Sequence, residues 1–409
     1  MLRSSVLVLA LALGTLVAGA AQAATLERVV VVMRHGVRPP TQSNDKLPHY
    51  STEPWPDWIV QAGDLTPHGG QTVAMTGRSL RAAYAAAGIF SAGRCPQPDE
   101  VSVWADGADE RTQMTGLVLG ASLEGGCAIP VEWSTVKPRD QIFGGAQGDA
   151  CKVDAAHDWA RVETPAEVDR LKAANAKLQD IFAPTACQGG LGVCFAQTPD
   201  SGGLFPNTAG YAEDLLLEYA EGMPMQEVGW GRATRADIDL VMDIHETAFG
   251  RIREGVYASS RRGAAMTRVI MAALQGEPIG GGPRTGPNLK LLGLAGHDTN
   301  LVLMASTFGL KWKLPDQPDS TAPSTALVFE LWRDGDKRFV RAVLFYQALD
   351  QQRALSPALD RQVPLPFEGC ASGPMASCPL DALQQRIKTL IPPDCGWPPL
   401  ADAAAARKP

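Results

Sequence analysis

Between Glu27 and Met33 the chain reads Glu-Arg-Val-Val-Val-Val-Met, an unbroken β-branched run that is too short for a helix. Runs of this kind suit strands buried on both faces, which belong to parallel sheets. Similar runs occur at Val101 to Trp104 and at Leu289 to Ala295. Each is followed by polar residues and then a helical period, as in βα units. Helical spacing covers Gly70 to Ala87, Glu110 to Leu123, Pro165 to Phe182, Tyr211 to Ala220, Ala236 to Ala258 and Ala264 to Leu274. Ala326 to Trp332 and Phe339 to Tyr346 flank an Asp334-Gly335 turn, a hairpin signal, and are expected to form an antiparallel edge. The pattern predicts an α/β fold: a mostly parallel sheet flanked by helices and assembled from distant parts of the chain.

The middle helices are not interleaved with strand candidates. Residues 137–260 are therefore expected to form a mainly helical domain inserted into an α/β domain made of residues 24–136 and 261–409. Gly276 to Pro287, with Gly280-Gly281-Gly282-Pro283, reads as an exposed loop. It is not a phosphate-binding loop, because no G-K-[ST] follows.

The first residues change the picture of where the chain works. Arg3, the apolar stretch Val6 to Val17 and the small-residue site Ala21-Gln22-Ala23 match a signal peptide over residues 1–23. No later segment is apolar enough to span a bilayer, so the mature chain is expected to be periplasmic or secreted, with no membrane association after cleavage. Arg3 is the only charged residue lost, so Lys plus Arg falls from 37 to 36 against 44 acidic residues, a formal charge of −8. That balance argues against nucleic acid and anionic lipid as partners. Oligomeric state is not readable from the pattern. Eight cysteines in an exported chain suggest disulfides. Spacing alone makes local loops of Cys187 with Cys194 and of Cys370 with Cys378, and leaves the other pairings open. No C-x2-C pair occurs and the histidines stand apart from the cysteines, so no metal site is expected.

Chemistry concentrates at two strand ends. Six histidines exist, and His35 and His297 each follow an apolar run, at the carboxyl edge where ligands bind in open α/β sheets. Arg34 and Arg38 bracket His35. Two guanidinium groups discourage protonation of the imidazole and present planar forks of donors suited to a phosphate dianion. Asp298, beside His297, can donate a proton to a departing alkoxide, although a role as helix cap is an alternative. Arg111 stands at the first turn of a helix after the Val101 run, where it opposes the dipole and calls for an anion: Asp109, Glu110 or a bound phosphate.

Arg34-His35-Gly36-Val37-Arg38-Pro39-Pro40-Thr41, Asp109-Glu110-Arg111-Thr112 and Gly296-His297-Asp298-Thr299-Asn300 together resemble the histidine acid phosphatase family, branch 2 of the histidine phosphatases. The likeness is closest to its bacterial periplasmic phytase and glucose-1-phosphatase type. It extends to Trp55-Pro56-Asp57-Trp58, Leu65-Thr66-Pro67-His68-Gly69-Gly70 and Gly229-Trp230-Gly231-Arg232. The resemblance implies a phosphoglycerate mutase-like α/β domain with a helical insertion. It makes His35 the nucleophile, Arg34, Arg38, Arg111 and His297 the phosphate ligands, and Asp298 the general acid. It implies no cofactor, disulfides Cys95–Cys127, Cys151–Cys395, Cys187–Cys194 and Cys370–Cys378, and a small phosphorylated substrate. Thr41, Gln42, Met223, Arg262 and Thr299 would surround the leaving group. Phytate is the leading substrate expectation, with glucose 1-phosphate or other sugar phosphates as the alternative. Gln42 stands where bacterial phytases commonly carry lysine, and losing a cation there weakens a site for a polyphosphate. A mutase-like enzyme and a secreted phosphate-ester binding protein are the rival readings.

Overall fold

The computed structural model describes residues 24–44, 51, 53–90, 93–135, 140–145, 148–154, 164–195, 206–370, 373–396 and 407–408. The expected signal peptide, residues 1–23, lies outside the described residues. The first third of the chain supplies β1 (Thr25–Arg34), α1 (Pro67–Ala86), β2 (Val101–Ala105), α2 (Glu110–Glu124), β3 (Val131–Ser134) and the short α3 (Gln141–Gly144). Five helices follow with no strand between them among the described residues: α4 (Pro165–Phe182), α5 (Pro206–Ala220), α6 (Arg235–Glu254), α7 (Val256–Arg262) and α8 (Ala264–Gln275). The chain then returns to the sheet with β4 (Leu291–Gly296), α9 (Asp298–Phe308), β5 (Ala326–Asp334) and β6 (Lys337–Tyr346). It finishes with α10 (Leu349–Ala354), β7 (Arg361–Leu365), β8 (Cys378–Pro379), α11 (Leu380–Leu390) and β9 (Arg407–Lys408).

The strand order is β7-β6-β5-β1-β4-β2-β3-β9, with β8 also on β6. The sheet is mixed. β1, β4, β2 and β3 run parallel, while β5, β6 and β7 extend it in antiparallel fashion from β1. The Asp334-Gly335 hairpin forms, but it is not an edge: β5 lies against central β1, and β6 is covered by β7 and β8. The reason is apolar continuity. The first six residues of β5 are buried, as an interior strand requires, and only the turn reaches solvent. The expected single helix over Ala236 to Ala258 is likewise two, broken at Gly255, whose φ of −79° and ψ of 60° leave the helical region.

Alternation along β1 divides the core between the faces of the sheet. Val29, Val31 and Met33 pack with Val73 and Leu80 of α1 and Leu119 of α2. Val30 and Val32 pack with Ile270 of α8 and Leu301 and Phe308 of α9. A third cluster joins Leu171 and Phe182 of α4, Leu215 of α5 and Val241 of α6, and takes in Val37 from the loop after β1. The four disulfides are Cys95–Cys127, Cys151–Cys395, Cys187–Cys194 and Cys370–Cys378. No helix among the described residues is long and apolar enough to cross a membrane.

Candidate active site

Parallel pairing of β1 with β4 sets Arg34 opposite Gly296, so the residues that follow emerge side by side. The His35 amide donates to the Gly296 carbonyl at 2.9 Å, and the rings of His35 and His297 lie 5.6 Å apart, edge to face. On the other side of β4, the Asp106 amide donates to the Ala295 carbonyl at 3.0 Å, which brings the end of β2 and the first turn of α2 to the same rim. The His35 loop is fixed from below by backbone contact. A Cβ on Gly36 would fall 2.3 Å from the Gly69 carbonyl oxygen, and one on Gly69 would fall 2.3 Å from that of Val37. Only glycine at both positions allows α1 to start so close beneath the loop.

His35 Nδ1 lies 2.8 Å from the Gly36 carbonyl. A carbonyl only accepts, so Nδ1 carries the proton and Nε2 keeps its lone pair. Burial lowers the imidazole pKa well below its ordinary value, and Arg34, Arg38, His297 and Arg111 push it further in the same direction. Both effects favour the neutral imidazole. His297 is oriented differently: its Nε2 lies 2.9 Å from Asp106 Oδ2 and 3.5 Å from Asp109 Oδ2.

The arginines are held by carboxylates. Fully buried Arg34 donates to Asp319 at 2.8 Å, to the Thr321 carbonyl at 2.7 Å and to Glu213, with Asp298 at 3.3 Å. Arg38 donates to the other Glu213 oxygen at 3.2 Å and to the Pro39 carbonyl at 3.0 Å. Arg111 pairs with Asp109 at 3.2 Å and reaches the Gly63 carbonyl at 3.2 Å. Burial alone lowers the Arg34 pKa, but Glu213, Asp298 and Asp319 more than reverse it. Asp298 shows the opposite balance: burial raises its pKa, and Arg34 first, then His35 and His297, outweigh that and hold it far below the carboxylate range. Its Oδ1 also accepts from Thr299 N at 2.5 Å and Thr299 Oγ1 at 2.9 Å. Asp298 is the first helical residue of α9, whose N-cap is His297. Among the described residues, two groups with metal-like spacing, Glu213–His245–Asp319 and Asp106–Asp109–His297, already face guanidinium: Arg34 takes two of the first group and Arg111 one of the second.

Residues 25–189 and 207–344 match the histidine phosphatase superfamily (branch 2). The chain belongs to this family. It is 30% identical to phytase AppA of Escherichia coli over 410 residues, 90% of this chain and 93% of that protein. It is 25% identical to a glucose-1-phosphatase of Salmonella typhimurium, covering 95% of this chain and 99% of the relative. Among solved structures, Hafnia alvei phytase superposes with a TM-score of 0.81 at 30% identity, covering 92% of this chain and 99% of that one. The same phytase has also been solved in complex with myo-inositol hexakis sulphate.

In this phosphatase a cleft of about 560 Å³ opens over the strand ends. His35, Arg38, Arg111, His297 and Asp298 line it, together with Thr299 and Arg262. Arg34 sits beneath the cleft. Thr41 and Gln42 are exposed beyond Pro40 and do not line it; Thr41 lies beside Gly63, whose carbonyl holds Arg111. Met223 is buried in the helical core and its carbonyl accepts from Arg353, so it too lies off the cleft wall. Four residues were not anticipated from sequence. Asp106 directly ends the β2 run and was readable as a strand-end acid. Glu213 lies within Glu-Asp-Leu-Leu-Leu-Glu and looks like a helix surface position, while Asp319 and Phe143 lie in stretches without a periodic signal.

Proposed function

We propose that this phosphatase hydrolyses phosphate monoesters through a phosphohistidine on His35, with phytate as its substrate. The observation that carries the mechanism is His35 itself. Its Nδ1–H donates to the Gly36 carbonyl, so Nε2 keeps its lone pair for attack, and burial, followed by the surrounding arginines, lowers the pKa of the ring. Nε2 attacks phosphorus and the ester P–O bond breaks. Arg38, Arg111 and His297 meet the equatorial oxygens, with Arg34 as the buried charge behind them.

Asp298 gives the leaving alkoxide its proton. In the free enzyme Asp298 is held ionised by Arg34, 3.3 Å away. A phosphate dianion entering the cleft offsets that positive field and raises the affinity of Asp298 for a proton, which acidic solution supplies. In the second half-reaction the Asp298 carboxylate takes a proton from water as its oxygen attacks phosphorus, and the N–P bond breaks to release phosphate and neutral His35. The charge of the transferred group is met by guanidinium.

The same reading takes residues 24–136 and 261–409 as the α/β phosphatase domain, residues 137–260 as an inserted helical domain, and residues 1–23 as a signal peptide. Four disulfides fit export to an oxidising compartment, periplasmic or extracellular. The phytate reading rests on likeness to the E. coli and H. alvei phytases and on Arg262 as a further cation in the cleft. Rapid alkaline-quench trapping with labelled substrate is expected to give acid-labile, alkali-stable phosphohistidine in the wild type and none in His35→Ala, with turnover abolished. Normal turnover by His35→Ala would overturn the mechanism. Rates on phytate, glucose 1-phosphate and an aryl phosphate test the substrate, and a preference for glucose 1-phosphate over phytate would overturn that part alone.

A further inference from the structure

One side of the cleft is a constructed wall. Phe143 and Gly144 of α3, and Gly145 after it, line this side together with Leu303 of α9. α3 is four residues long, too short to stand on its own hydrogen bonds, so its position depends on what braces it. Asp140 braces one end, accepting from Ile142 N at 2.9 Å and from Nε1 of buried Trp104 at 2.9 Å. Asn300 braces the other. Its Nδ2 donates to the Phe143 carbonyl at 3.0 Å, and its Oδ1 accepts from the His297 backbone N–H at 2.8 Å. Gly296 provides the space, since a Cβ there would lie 2.5 Å from Asn300 Oδ1 and 2.7 Å from the Phe143 ring.

We propose that Asn300 is a positioning residue that sets leaving-group selectivity by holding Phe143 in register with His297; this rests on the phosphatase mechanism given above. A single buried amide spans from the backbone of a phosphate-binding residue to the wall, and it uses its donor and its acceptor at once. The phosphoryl end of every ester is the same, so movement of the wall changes the relative rates of two esters rather than the phosphate binding they share. Phe143 and Leu303 are the apolar residues of this wall. It favours leaving groups with an apolar face over small polyols.

The test compares kcat/KM for an aryl phosphate and for glycerol 2-phosphate in the wild type, Asn300→Asp, Phe143→Leu and the double variant. Asn300→Asp keeps the acceptor for His297 N–H and loses the donor to Phe143, and Phe143→Leu alters the wall while retaining an apolar side chain should the first variant fold poorly. The aryl-to-glycerol ratio is expected to fall roughly fivefold or more in each single variant, and the double variant to fall no further, because both act through one wall. A ratio within about twofold of wild type in both single variants, or multiplying effects in the double, overturns the inference. Phosphohistidine trapping in the wild type separates the two failures. Without it the mechanism itself falls, whereas phosphohistidine with an unmoved ratio removes only the role of Asn300.

Discussion

Glu213→Gln is an informative single change in this protein, because one carboxylate from α5 serves both arginines of the nucleophile loop. Glutamine keeps the shape but only one of the two acceptor oxygens, so the charge is lost and one of the two arginines faces an NH2 donor instead. Arg34 then retains Asp319 at 2.8 Å and Asp298 at 3.3 Å, and Arg38 retains the Pro39 carbonyl at 3.0 Å. Removing one partner of a buried ion pair costs about 3–5 kcal/mol, and the remaining carboxylates around Arg34 place this case at the lower end, about 3 kcal/mol. For a chain of this size that corresponds to a Tm lower by roughly 4 °C. The pH dependence identifies the cause. Burial raises the pKa of Glu213, but Arg34 and Arg38 outweigh it and leave it lowered. The charge therefore stabilises the fold fully above the ordinary glutamate value of about 4.3, and this contribution is lost as pH falls through the depressed folded value. Thermal melts of both proteins from pH 7 to pH 3 are expected to show a steady gap that narrows below about pH 4. A variant as stable as wild type at pH 6, or a gap that stays constant down to pH 3, would refute the reasoning.

Three further outcomes are expected. Because burial and the neighbouring arginines depress the His35 pKa, the acid limb of the kcat/KM profile falls well below about 6.5; a limb at the ordinary histidine value would contradict a buried neutral nucleophile. Asp298→Asn slows alkyl esters far more than activated aryl esters, on the order of 100-fold against a few-fold, as measured by single-turnover phosphorylation; equal losses on both would remove Asp298 as the leaving-group acid. Replacing Cys151 and Cys395, 244 positions apart, by serine destabilises by about 5 kcal/mol in the loop-entropy picture, against about 2 kcal/mol for Cys187 and Cys194, 7 apart. Comparative melts check the order, and a reversed order would count against it.

The central strands were legible because burial on both faces forces long β-branched runs, and Val29 to Val32 can hardly be anything else. Arg34, His35 and His297 were legible because each stands at the end of such a run. What escaped was whatever takes its meaning from a distant partner. Glu213 reads as an ordinary helix glutamate until α5 is docked against Arg34, and Asp319 lies in a loop with no period to mark it. β7, β8 and β9 are short edge pieces with little apolar content, and their pairing with β6 or β3 comes from tertiary context rather than local preference. Thr41, Gln42 and Met223 were placed around the leaving group by likeness alone; Thr41 and Gln42 are exposed and Met223 is buried.

The pairing of Arg34 has a consequence for the order in which the molecule can be made. Arg34 precedes its partner Glu213 by 179 positions and Asp319 by 285, and a chain is synthesised from its N-terminus. Collapse of the first strands before those acids arrive would bury a guanidinium with nothing to answer it, a cost that favours leaving β1 open to water. The strand at the centre of the finished sheet is thus among the earliest made and among the last able to close. A truncated product ending before Glu213 would carry every residue of the nucleophile loop and lack all three carboxylates that hold Arg34.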